Sequence, residues 1–158
     1  MAESALGWSL YEKIPSSLDV GHATIERLLA ALQVNRWEGR DLFHIQLAIE
    51  EAMVNAITHG NKQAEDKVVE VEFRVDPLFT FMRIKDEGAG FNPADVPDPR
   101  DDDHLECTNG RGVMLIRELM SEVRYNGRGN EVTMIKHRSK EDQSAELSED
   151  QEDLPAEN

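Results

Sequence analysis

The chain has 158 residues, room for one domain with a sizeable buried core, and its single cysteine, Cys107, excludes an internal disulfide. No apolar run is long enough to cross a membrane and Met1-Ala2-Glu3-Ser4 lacks the basic-then-apolar pattern of a secretion signal, so a soluble, cytoplasmic protein is expected. With 32 acidic against 17 basic residues and a net charge of −15, no basic patch is evident for phosphate contacts, which speaks against direct nucleic-acid binding.

Ser9 to Ile14 reads as a short first strand, and Pro15-Ser16-Ser17 after it offers a serine hydroxyl to cap a helix. Ile25, Leu28, Leu29 and Leu32 then recur at helical spacing. A second helix is expected from Glu38 to Thr58. At about 100° per residue, Leu42, Ile45, Ile49, Ala52, Met53 and Ala56 share one apolar face, while Phe43, Leu47, Val54 and Ile57 cover much of the rest. Only a narrow arc holding His44, Glu51, Asn55 and Thr58 is polar. A helix apolar nearly all round is normally buried, and buried polar groups need partners or a purpose. Glu51 and Asn55, four apart, can reach a single ligand; Glu50 lies about 140° from Asn55, which makes Glu51 the better candidate. Two readings stand: a wall of a magnesium and phosphate site, or the half-exposed edge of a helix that ends at Gly60 in the usual C-terminal way.

Val69, Val71, Phe73 and Val75 alternate with Glu70, Glu72 and Arg74 as a half-buried strand, Asp76-Pro77 marks a turn, and Leu78 to Lys85 returns as the second arm of a hairpin. Asp86-Glu87-Gly88-Ala89-Gly90 follows directly. Its alternate glycines allow a tight backbone path close to a ligand, although a plain strand-ending turn has the same composition. Phe91 to Thr108 holds three prolines and Asp101-Asp102-Asp103 without any period, and a loop of that length is either a mobile lid or a tolerated insertion. Gly110-Arg111-Gly112 opens a third helix marked by Val113, Ile116, Leu119, Met120 and Val123. Free N–H groups and the helix dipole there favour an anion, unless the triplet is only a flexible joint. Strands near Glu122 to Tyr125 and Glu131 to His137 flank the hairpin Asn126-Gly127-Arg128-Gly129-Asn130. From Ser139 to Asn158, eight acids face one base, a charge of −7 that leaves −8 for the body. Such a segment reads as disordered, so the expected organisation is one domain over 1–138 and an acidic tail over 139–158. Strands in groups with helices between them predict an α+β fold, a sheet covered by helices on one face.

The three motifs, in this order and each at its own structural junction, resemble the N, G1 and G2 boxes of the GHKL ATPase superfamily, which includes gyrase, Hsp90 and histidine-kinase catalytic domains. Within it, Glu51-x-x-x-Asn55-Ala56-x-x-His59-Gly60, the short lid and the run from Leu115 to Val123 are similar to the small anti-sigma-factor serine/threonine kinases. The resemblance spans roughly Leu10 to His137. It implies a two-layer α/β sandwich of the Bergerat ATP-binding type, with a mixed, mostly antiparallel sheet. It also implies ATP and Mg²⁺ as cofactors, with Asn55 as the metal ligand and Glu51 as the general base. Asp86 would accept a hydrogen bond from the adenine amino group, Gly88 and Gly90 would shape the base pocket, and Gly110, Arg111, Gly112 and Val113 would form the turn whose amides hold phosphate. Where members often show Gly-Thr before the last strand, this chain has Gly129-Asn130; an amide both donates and accepts, so Asn130 can take the threonine's place.

The function implied is that of an anti-sigma factor, a homodimer that sequesters a sigma factor and phosphorylates a Ser or Thr of a STAS-domain antagonist. Two alternatives stand beside it. One is a GHKL module that binds ATP and a protein partner without transferring phosphate. The other is a detached histidine-kinase catalytic domain, for which the single helix before the N box leaves little room for a phosphoacceptor helix pair. His59 reads as a helix-end cap, Lys62 and Lys85 as surface charges, and His22 and His44 as ordinary helix-surface residues.

Overall fold

Period-two patterning in this sequence buries every other side chain of each long strand. Leu10 and Ile14 in β1 (Trp8–Pro15), Val69, Val71, Phe73 and Val75 in β2 (Val68–Val75), Met82 and Ile84 in β3 (Phe79–Lys85), and Val132 and Met134 in β5 (Glu131–His137) all face inward. The computed structural model describes residues 7–89 and 108–139; Gly90, the expected lid and the acidic tail after Ser139 lie outside them. The strands, with β4 (Glu122–Tyr125), form one sheet in the order β1-β2-β3-β5-β4.

Every neighbouring pair is antiparallel, so the sheet is not mixed. β3 and β4 run the same way, but β5 folds back from β4 and takes the place between them, so they are not neighbours.

Three helices pack on the inner face. α1 (Leu18–Val34) begins where Ser17 accepts a hydrogen bond from the Val20 N–H, the serine cap expected there. α2 (Gly39–Val54) crosses α1 closely at Gly21, where a Cβ would stand 2.8 Å from Ile57 Cδ1 and 3.0 Å from Met53 Cγ. α2 is not buried all round as its wheel suggested. Phe43 is 58% exposed, because one layer of helices on one face of a sheet leaves each helix an outward side. α3 (Thr108–Leu119) starts two residues before Gly110 and stops before Val123. The Ser121 N–H pairs with the Ile135 carbonyl instead, and Val123 joins β4.

The largest departure is at the end of α2. In place of an α-helix running to Thr58, Asn55–Gly60 forms a π-helical turn, closed by the Asn61 N–H on the Ala56 carbonyl at 2.8 Å. π-turns inside helices are rare and often mark functional sites.

The outer sheet face is polar. Arg83 ion-pairs with Glu70 at 3.2 Å, Glu72 at 3.0 Å and Glu131 at 3.5 Å, and the Tyr11 hydroxyl donates to Glu70. Pairing places Lys85, Glu131, Val68 and Pro15 at one end of the sheet, and Trp8, Val75, Phe79 and His137 at the other.

Candidate functional site

The π-turn, the end of β3, the start of β5 and α3 meet at the first of these ends and enclose a cleft of about 280 Å³. That is close to the lower bound of small-molecule sites, roughly 300 Å³. Its apolar wall includes Ile84, Val113, Ile116, Tyr125 and Val132, and its polar rim includes Asn55, His59, Lys62 and Asp86. An apolar slot with a few placed polar groups suits a flat heteroaromatic ring with a charged extension.

Glu51 and Asn55 come together as their spacing requires, Glu51 on the last turn of α2 and Asn55 at the start of the π-turn. Both are half-buried. A Cβ on Gly112 would lie 2.8 Å from Asn55 Nδ2 and 2.9 Å from Glu51 Oε2, so this glycine is the floor on which both polar groups rest. The sequence assigned Gly112 to phosphate approach; the structure adds a second reason, since any side chain there would displace the pair. Glu51 borders the cleft and does not line it. Asn55 Oδ1 is buried without a hydrogen-bond partner among the described residues. A hard cation such as Mg²⁺ takes oxygen ligands and often only one or two from protein, and an orphaned amide oxygen at the cleft wall fits that demand.

Asp86 lies at the carboxyl end of β3. Its Oδ1 accepts from the Gly88 N–H at 2.7 Å, its own N–H donates to the Asn130 carbonyl at 2.9 Å, and burial raises its carboxyl pKa above the ordinary aspartate value. Gly60 and Gly88 are needed for contact here: a Cβ on Gly60 would fall on the Asp86 carboxylate, and one on Gly88 on the Gly60 carbonyl.

Asn130 lines the cleft, but its amide is already engaged. Nδ2 donates to the Asp86 carbonyl at 2.8 Å, and Oδ1 accepts from Asn126 Nδ2 at 2.6 Å. It therefore fixes Asp86 in place before it touches any ligand. Gly129, at φ +77°, makes the hairpin turn that brings Asn130 there.

Gly110 and Arg111 lie in the first turn of α3, and Val113 lines the apolar wall. The first N–H groups of a helix have no intrahelical partner, and Gly110 falls among those of α3. Gly90 and the Arg111 side chain lie outside the description.

Three residues at the cleft were not expected. Lys62 reaches it from a left-handed backbone, φ +53°, followed by Gln63 at +54°; nothing in the sequence announced two successive left-handed residues without glycine. His59 lines the cleft, although it was read as a cap, because the π-turn carries it round. Tyr125 was legible in principle, since it alternates with Arg124 and falls on the inner face with Val123. Burial pushes its hydroxyl pKa up to about 12, and the Arg117 guanidinium lies 5.7 Å from its ring centroid. Away from the cleft, His44 is not a plain surface residue. Lys136 Nζ approaches its Nδ1 at 3.2 Å, and burial lowers its pKa.

This sheet, with a polar helix end and a glycine-floored carboxylate–amide pair at one edge, is the frame of a kinase-type ATPase. The chain belongs to the histidine kinase-like ATPase domain family, whose profile matches residues 14–136, and thus to the GHKL superfamily. Among named proteins it is similar to the serine-protein kinase RsbW of Listeria monocytogenes, 29% identical over 103 residues that make up 59% of this chain and 64% of the relative. It is also similar to the serine/threonine-protein kinase BtrW of Bordetella bronchiseptica, 26% identical over 111 residues, 68% of this chain and 78% of the relative. RsbW of Listeria innocua matches at 28% over 103 residues. The match spans under two thirds of the Listeria proteins' own length. No helix among the described residues is long and apolar enough to cross a membrane.

Proposed function

We propose that this chain is an ATP-dependent protein serine/threonine kinase that also holds a sigma factor inactive, with a STAS-domain antagonist as its phosphoacceptor. The observation that carries the catalytic half is the Glu51–Asn55 pair resting on Gly112 beside the cleft. The partners, a homodimeric state and a cytoplasmic setting come from the motif resemblance, and the serine kinases named above support the kinase activity.

In this reading the adenine enters the apolar slot with its amino group toward Asp86, and the phosphates lie toward α3. Asn55 would hold Mg²⁺, which supplies charge neutralisation to the phosphates when bound. Glu51 takes the proton from the acceptor hydroxyl as its oxygen bonds to the γ-phosphorus. The bond from that phosphorus to the β–γ bridging oxygen breaks, and ADP leaves. Positioning and charge do most of the work in such a transfer.

The test incubates the protein with Mg-ATP and a candidate STAS protein and looks for phosphoserine or phosphothreonine by mass spectrometry. Glu51→Gln is expected to bind ATP as the parent does and to transfer nothing; full transfer by this variant sinks the base assignment. The position of Glu51 outside the cleft lining favours a second reading, an ATP-binding module without transfer. That reading predicts tight ATP binding with no phosphoprotein at any STAS concentration.

A further inference from the structure

Asn61, which no motif includes, has its N–H and both ends of its side-chain amide engaged. It is fully buried. Its N–H closes the π-turn on the Ala56 carbonyl at 2.8 Å. Nδ2 donates to Ser16 Oγ at 2.9 Å and to the Val68 carbonyl at 2.9 Å, while Oδ1 accepts from the Glu87 N–H at 2.7 Å. Ser16 Oγ in turn donates to the Lys67 carbonyl at 2.8 Å, and Glu87 accepts from the Val68 N–H at 2.7 Å. One amide thus joins the last turn of the α2 unit, the ends of β1 and β2, and the backbone immediately after Asp86.

We infer that Asn61 is the positioning residue for adenine recognition: its Oδ1 holds the Glu87 N–H and so aims the Asp86 carboxylate into the cleft, while its Nδ2 serves the fold. The division follows from the two ends of the amide. The Nδ2 partners, Ser16 just after β1 and Val68 at the start of β2, lie outside the cleft lining. The Oδ1 partner is one residue from Asp86, whose carboxylate is packed under Gly60, the residue before Asn61. The proposal rests on the assignment of Asp86 to the adenine amino group.

The experiment measures by calorimetry how much more tightly the protein binds ATP than purine riboside triphosphate, which lacks the 6-amino group. Wild type is expected to prefer ATP by at least tenfold, about the worth of one hydrogen bond to a charged acceptor. Asn61→Ala should lose most of that preference while still binding purine riboside triphosphate. A variant that weakens both nucleotides equally overturns the proposal, since it reports only a loosened fold. Ser16→Ala removes one Nδ2 partner and should lower Tm with the preference intact; loss of preference there also overturns it. Should Asn61→Ala not fold, Asn61→Ser, too short to hold the Glu87 N–H, is read in the same way. Asp86→Asn separates the two levels. If it keeps the parental preference, the adenine assignment itself fails; if it loses the preference while Asn61→Ala keeps it, only the role of Asn61 fails.

Discussion

Gly112 gives a substitution whose effects on stability and on function should have opposite signs. An added methyl would meet only the far ends of the Asn55 and Glu51 side chains, which can swing aside, and alanine is favoured over glycine inside a helix by up to about 1 kcal/mol. Gly112→Ala is therefore expected to keep or raise Tm while ATP affinity and transfer both fall by tenfold or more, measured by calorimetric titration and phosphate incorporation. Asp86 behaves similarly through charge. Burial raises its folded-state pKa, so the cost of keeping it ionised is present above that pKa and is relieved as pH falls through it. Asp86→Asn keeps an oxygen for the Gly88 N–H, and at neutral pH it should melt higher than the parent yet lose ATP. In wild type, ATP affinity should decline on acidification before the ordinary aspartate value of 3.8 is reached; in Asp86→Asn the residual binding should not follow that curve. That Glu51 and Asn55 share a helix face follows from their spacing, and Asp86 is singled out by the motif resemblance; neither needs tertiary information. The engagement of Asn130, the placement of Lys62 and the hub at Asn61 were not legible in the sequence, because they depend on which distant backbone groups a side chain meets.

Strand alternation and helix period located the five strands and three α-helices among the described residues but not the π-turn, and the errors fall where a local pattern served two masters. Val123 fits both the α3 period and the β4 alternation, and pairing with β5 decides in favour of the strand. The π-turn left no mark in the period, since it differs from an α-helix by a single residue in a stretch where Asn55, Thr58 and His59 break the apolar pattern. Removing one residue, Thr58, should convert the turn to ordinary helix and carry His59 and Gly60 away from Asp86. The expected outcome is a folded chain by circular dichroism that no longer binds ATP. On the opposite face, Arg83 makes a further test. Hydrogen bonds from Tyr11 first and Arg83 second lower the pKa of Glu70, and Arg83 does the same for Glu72, so their contribution is present above the unfolded value of 4.5 and is lost as pH falls through the lower folded values. Arg83→Met should cost about 1–2 kcal/mol at neutral pH, a Tm drop of a few degrees, and the difference from wild type should shrink in acid.

The described residues are polar in the geometric sense: the cleft opens at one end of the sheet, and Gly7 and Ser139, the first and last of them, lie at the other. Gly7 donates to Asn35 Oδ1 at the end of α1, and the Ser139 N–H donates to Asp41 Oδ2 at the start of α2. Ser139 is thereby tied to the start of α2. Truncation after Ser139 should leave ATP affinity unchanged, whereas truncation before it removes one of the partners of the buried Asp41 carboxylate, leaving Lys136, and should lower Tm. Both strand ends that carry the chain outward, Trp8 of β1 and His137 of β5, lie across the length of the sheet from Asp86. A fluorophore, a biotin or a sensor-chip tether fixed at the exposed Ser9 or His137 will therefore present the cleft outward to the solution, and binding measured on the immobilised protein should match that of the free chain.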